Sequence, residues 1–341
     1  MQQPWVNNRF VERFSLSTPI ALAPMALATG GELAAACSRA GILGLVGGGY
    51  GELDWTKREY SDAADRLEGD PEALSRLGCG FISWKLTEDQ SALDWLLDQE
   101  HRPAAVMLSF GDPTAFAVIL SDHHIPVICQ IQTIAQLPQA VDAGATVIVA
   151  QGTEAGGHGM NDFEGRTTFT FVPEIADWLA KHSPKTLLLA AGGITDGRGL
   201  AAAMMLGADG GLIGTRLWAT TQSLATEGAK ATALRADGDD TGRSSIFDVL
   251  RSKNWPKQFD FRAIRNQLHR KWEGRIDELR ANPATAIEDY LSGVRQDDYD
   301  RAHVTVGQGV GLIHDLLSAE ELIEQIDHDA ARLLVGRITE K

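Results

Sequence analysis

Between Pro19 and Trp218 the chain repeats one unit: a short apolar or β-branched run, a turn marked by Gly or Pro, then an amphipathic stretch rich in Ala and Leu. The runs fall at 19–25, 41–48, 78–86, 104–111, 126–132, 145–152, 186–193 and 210–218, which makes eight. Each is apolar at both alternating positions. A strand needs that pattern when one face meets a barrel interior and the other meets helices. Helical stretches at 31–40, 55–67, 89–100, 113–122, 133–143, 173–182 and 196–207 fill the gaps, several opening on residues suited to a helix start, such as Asp112-Pro113, Thr133 and Asp196. Eight β/α units in about 200 residues fit a (β/α)8 TIM barrel, an α/β fold, better than an open doubly wound sheet.

The pattern changes after Trp218. Residues 219–306 are charged and read as helix-rich, so a smaller helical subdomain packed over the barrel mouth is expected there. Residues 307–316 return to Gly-rich apolar character, and an amphipathic helix over about 319–335 closes the chain, with Leu322, Ile326 and Leu333 on its apolar face. The expected division is therefore a barrel of 1–218 plus 307–341 and a substrate-covering subdomain of 219–306.

Composition narrows the function. Thirty-one Lys and Arg against 46 Asp and Glu give a net charge of −15, and no basic block offsets it, so neither nucleic acid nor an anionic membrane is an expected partner. Cys37, Cys79 and Cys129 lie far apart among apolar neighbours, in no metal-ligand spacing, and read as buried thiols in a reducing compartment. The first 14 residues lack the apolar core of a leader, and no run approaches the roughly 18 residues of a membrane span. A cytoplasmic location is expected; oligomeric state is left open, a homo-oligomer included.

In a barrel of this kind the chemistry lies at the C-terminal ends of the strands, and the loops after strands seven and eight often hold a phosphate. Here those loops carry Gly192-Gly193 and Gly214-Thr215, whose backbone N–H groups can approach phosphate oxygens closely. The sixth run leads into Gln151-Gly152-Thr153-Glu154-Ala155-Gly156-Gly157-His158-Gly159. A histidine flanked by glycines has no apolar wall from its neighbours, so His158 is expected over an open site, as a general base or a hydrogen-bond donor. Pro24-Met25-Ala26 forms a rigid turn after the first run, and Gln130 and Gln132 are amides at the end of the fifth. Asp122-His123-His124 stands at the wrong end of the barrel for catalysis, and no metal is expected. Trp255, Phe259 and Phe261 read as subdomain core rather than a substrate cage. The G-x-G-x-x-G, P-loop, G-x-S-x-G and H-E-x-x-H patterns are absent.

Taken together, the order and spacing of PIALAPMA, VICQIQT, VIVAQGTEAGGHG, AAGGITDGRGLAAAMMLGADG, GTRLWAT and GQGVGLI resemble the nitronate monooxygenase family, FMN-containing barrels related to flavin-dependent enoyl and quinone reductases. The resemblance implies FMN as cofactor, with the isoalloxazine against Pro24, Met25 and Ala26 and with Gln130 and Gln151 near the flavin's polar edge. It places Gly156, Gly157, Gly192, Gly193, Gly214 and Thr215 at the ribityl and phosphate groups, and His158 at the family's active-site histidine. It implies a nitronate or nitroalkane and O2 as reactants, with a carbonyl compound and nitrite as products. Two departures stand out. Relatives commonly read G-G-H-x-G where this chain has Gly157-His158-Gly159-Met160, and Gln130 occupies a position where relatives often carry Lys. An NAD(P)H-dependent reductase of a quinone or enoyl thioester uses the same flavin site, and a phosphate-binding barrel without redox chemistry uses the same phosphate loops.

Overall fold

The structure, a computed structural model, describes residues 8–161 and 163–335. The proposed barrel's extreme termini, 1–7 and 336–341, lie outside the described residues, as does the first half of the stretch read for a leader. Eight strands run parallel: β1 (Ile20–Leu22), β2 (Gly44–Gly49), β3 (Leu77–Ile82), β4 (Val106–Ser109), β5 (Val127–Ile131), β6 (Val147–Gln151), and then, after a short strand β7 (Gly157–Met160) that leaves the barrel, β8 (Leu187–Ala191) and β9 (Gly210–Ile213). Their order is β1-β9-β8-β6-β5-β4-β3-β2, and a parallel bridge between Ala21 and Leu43 joins the two ends, so the sheet closes into the expected barrel.

Alternation along the strands sorts side chains into two layers. Ala21, Leu45, Met107, Ile128, Val147, Val149, Leu187, Leu189 and Leu212 fill the interior. Their neighbours Ile20, Leu22, Val46, Cys79, Val106, Leu108, Cys129, Ile148 and Leu188 face outward under the helices. The interior has a plug. Helix Arg9–Phe14, capped by the Asn8 side chain on the N–H of Val11, inserts Phe10, Val11 and Phe14 into the interior cluster. Arg9 pairs with Asp209, just before β9, which fixes the plug at the N-terminal end and leaves the opposite end open. The C-terminal helix Ala319–Val335 buries Leu322 and Ile326 and packs Leu333 on the outer layer, as its pattern suggests. All three cysteines are buried and free. Among the described residues, no helix is long and apolar enough to cross a membrane.

The segment 219–306, expected to be a helix-rich subdomain, also contains strands. It carries β10 (Thr241–Ser244) and β11 (Phe259–Ile264), which with β7 form an antiparallel sheet in the order β10-β11-β7. The helices around that sheet share a core of Ile246, Phe247, Leu250, Phe261, Leu268, Leu279 and Tyr290. One strand of this layer, β7, therefore comes from the barrel's own β6 connection. The pairing runs through the site itself, with His158 opposite Phe261.

Candidate active site

A cavity of about 650 Å3 opens at the C-terminal ends of the barrel strands. Of the residues singled out above as site candidates, all but Gln132 line it. Pro24, Met25 and Ala26 follow β1, Gln130 and Gln151 come from β5 and β6, Gly156 to His158 lead into and begin β7, Gly192 and Gly193 follow β8, and Gly214 and Thr215 follow β9. The turn after β1 is pressed onto its neighbours. A Cβ on Gly47 would lie 2.4 Å from the Met25 carbonyl oxygen, and one on Gly80 would lie 2.3 Å from Pro24 Cγ.

The glycines divide by what surrounds them. Gly192 and Gly193 have φ of +102° and +76°, which side chains rarely adopt, so the tight turn after β8 requires them. A Cβ on Gly214 would meet nothing closer than 3.6 Å, and its space belongs to the cavity. Gly156 is different: a Cβ there would stand 2.5 Å from the Val306 carbonyl carbon, so this glycine packs backbone on backbone. Thr215 Oγ1 accepts the N–H of Gly307 at 2.9 Å and keeps its own proton for a ligand. Thr195, also lining the cavity, has a buried hydroxyl with no partner. Arg216 turns away to the Ala219 carbonyl and to Asp315.

The glutamines form a relay. Gln130 and Gln132 donate to Gln151 Oε1 at 3.2 and 3.0 Å, and Gln151 Nε2 donates to the His158 carbonyl at 2.9 Å. Gln130 lines the cavity, whereas Gln132 is buried beside it. Gln151 thus ties β7 to the barrel. Because Gln132 Oε1 already lacks a partner, a Gln151→Leu variant strands the whole Gln132 amide and the His158 carbonyl. A destabilisation of about 2 kcal/mol or more is expected, read as a lower urea midpoint.

His158 does have an apolar wall, and residues distant in sequence supply it. The imidazole stacks on Trp255 at 3.4 Å between centroids and 11° between planes, with Phe261 at 4.8 Å and Phe110 at 6.4 Å. The residue is 8% exposed, on a strand rather than in a free loop. Its Nε2 lies 2.8 Å from Oδ1 of Asp248, which is itself buried. Burial holds the His158 pKa below the ordinary histidine value; the hydrogen bond and charge of Asp248 oppose that shift, while Arg251 and Arg243 add to it. The ring is therefore neutral at neutral pH, free to accept a proton.

A second histidine lines the cavity. His303 Nδ1 is 2.8 Å from Tyr290 Oη, and burial together with the nearby Arg251 lowers its pKa to about 3. A histidine depressed in the folded state stabilises the fold above its unfolded pKa of about 6.5, and that contribution is lost as pH falls toward the folded value. Stability should therefore decline from pH 6.5 downward. His303→Gln should flatten that decline by up to about 1 kcal/mol per pH unit for this half-buried ring, measured by urea denaturation at successive pH values.

Sequence reasoning missed Asp248 and assigned Trp255 to the wrong role. Phe259 and Phe261 are buried core as expected, but Phe261 also lines the cavity, and Trp255 forms the floor under His158. Asp248 did leave a signal: it is the one acid in the apolar helix Ile246–Leu250, where an acid needs a buried partner. Among the described residues, no group of three His, Cys, Asp or Glu is placed to hold a metal ion.

A family model described as nitronate monooxygenase matches residues 81–329. The chain is 31% identical to a nitronate monooxygenase of Neurospora crassa, over 90% of this chain and 88% of that one. It is 32% identical to a nitronate monooxygenase of Metarhizium robertsii, over 92% and 91%. Among solved structures, FabK from Thermotoga maritima superposes with a TM-score of 0.80 at 26% identity, covering 98% of each chain. The chain belongs to the nitronate monooxygenase family and is an oxidoreductase.

Proposed function

We propose that the chain is an FMN-dependent enzyme that oxidises alkyl nitronates with O2 to a carbonyl compound and nitrite. The observation that carries this reading is that His158, a buried and neutral imidazole, opens onto the same space as the glycine turns after β8 and β9. A phosphate-bearing planar cofactor and a proton-handling group can thus serve one ligand.

The family implies a flavin, and the residues present fit FMN. Gly193 and Gly214 leave room beside their backbone, and the Thr195 hydroxyl is a buried donor awaiting a partner. Gly192, Gly193, Gly214, Thr215 and Thr195 would hold the phosphate end, Gly156 and Gly157 the ribityl chain, and Pro24, Met25, Ala26, Gln130 and Gln151 the ring system. When bound, FMN supplies the electron acceptance that starts the oxidation of the nitronate by O2. Gln130 places a neutral amide, not a fixed cation, at the ring's edge. The apolar wall of Phe110, Trp255 and Phe261 excludes water around His158, which strengthens its interaction with a charged substrate group.

An anaerobic absorbance titration tests the reading. The expected result is bleaching of the flavin by ethyl nitronate, with little response to NADH or NADPH. Rapid bleaching by a pyridine nucleotide and none by the nitronate would make the protein a reductase instead.

A further inference from the structure

Asp248 stands outside the cavity wall and touches the chemistry only through His158. Its Oδ1 meets His158 Nε2 at 2.8 Å, while its Oδ2 is buried with no partner. A carboxylate kept merely to satisfy a core histidine would be expected to have both oxygens paired, since an unpartnered buried polar atom costs about 1–3 kcal/mol. An ionised carboxyl accepts hydrogen bonds and cannot donate one, so the proton of the neutral ring sits on Nε2. Nδ1 has no hydrogen-bond partner among the described residues and is left as a bare lone pair on a ring that lines the cavity. The Trp255 stack and the Gln151 bond to the His158 carbonyl hold the ring's plane and its backbone, so the proton-bearing nitrogen stays turned toward Asp248.

We propose that Asp248 is a positioning residue that locks His158 in the Nε2–H tautomer, leaving Nδ1 as the atom that takes the α-proton when a neutral nitroalkane is the substrate. The inference rests on the nitronate reading above and extends it by one step. In that step the α C–H bond breaks, its electron pair moves into the nitro group to give the nitronate anion, and the proton goes to Nδ1. The imidazolium so formed faces Asp248, whose charge offsets it. A preformed nitronate skips this step and has no need of the tautomer.

The groups facing the ring from the elements packed against it are few. Asp248 comes from the helix Ile246–Leu250 and Arg251 from the turn after it. Arg243 of β10 acts on the ring at longer range, while its guanidinium bonds the Gly157 and Ala155 carbonyls. Phe110, Trp255 and Phe261 carry no charge.

The test compares the FMN-loaded wild type with its Asp248→Asn variant on nitroethane and on preformed ethyl nitronate. The expected result is a fall in kcat/KM for nitroethane at least about tenfold greater than for ethyl nitronate. Because Asp248 raises the His158 pKa, the acid limb for nitroethane should also move to lower pH in the variant. Equal losses on both substrates, or no loss on either, would reduce Asp248 to a structural contact. Should the variant fail to fold, the 15N shifts of His158 in the wild-type holoenzyme give the answer directly. A protonated Nε2 and a bare Nδ1 support the proposal, and the reverse overturns it. A wild type that oxidises ethyl nitronate but not nitroethane also overturns it. A wild type inert toward both overturns the nitronate reading and this inference with it.

Discussion

Replacing His158 with Asn is expected to lower kcat/KM for nitroalkane oxidation by about 100-fold or more, while FMN stays bound at full stoichiometry. Proton transfer by a positioned side chain contributes roughly 100- to 10,000-fold, and an amide takes no proton at any working pH. The loss should be confined to turnover because His158 meets its neighbours through a stack and one hydrogen bond, and the cradle after β8 and β9 is built from other residues. The shorter side chain leaves Asp248 without its partner and part of Trp255 uncovered, so a drop of several degrees in melting temperature is expected as well. Flavin absorbance and steady-state kinetics, read at a temperature where the variant is folded, separate the two effects. Unchanged kinetics with bound flavin would remove His158 from the mechanism.

The barrel was legible because each strand is local. Runs such as VICQI and VIVAQ are apolar on both faces, and only a strand buried on both sides requires that. The glycine turns that line the cavity were legible for the same reason, since those that end β8 and β9 carry their glycines in sequence order. What stayed hidden is the antiparallel layer. GHGM and TGRS show no apolar alternation, because β7 and β10 are short and their register is set by β11, which lies about 100 residues after β7 and 15 after β10. The surroundings of His158 follow from that pairing. Phe261 lies opposite it across the sheet, Trp255 enters from the approach to β11, and Asp248 reaches it from the helix after β10. Reading His158 from its flanking glycines alone therefore suggested an open loop. Of those glycines, Gly159 serves close packing, since a Cβ there would stand 2.8 Å from the Arg243 guanidinium, while Gly157 has room around it and takes a φ of +70° that side chains rarely adopt.

That distinction between glycines that make room for a ligand and glycines that make room for the protein gives the other large effect. A Gly214→Leu variant should fold normally and lose FMN, with Kd weakened by at least about 100-fold, or about 2.7 kcal/mol. The nearest atoms to a new Cβ at Gly214, on Ala23 and Met25, are at ordinary contact distance. The leucine would therefore extend into the cavity, where the phosphate end of the cofactor is proposed to lie. Gly156→Ala should do the opposite. Its Cβ collides with the backbone of Val306 and Gly307, which cannot give way as a flexible side chain can, so the fold itself is strained. Melting curves with and without FMN distinguish the two. Wild type gains about 2.7 kcal/mol from ligand at 100 times Kd. Gly214→Leu should match the wild-type apoprotein and gain no more than about 0.4 kcal/mol at that same ligand concentration, whereas Gly156→Ala should melt lower in both conditions. Retention of yellow colour and of the ligand-induced gain by Gly214→Leu would move the phosphate away from the turn after β9, and with it the assignment of Thr215.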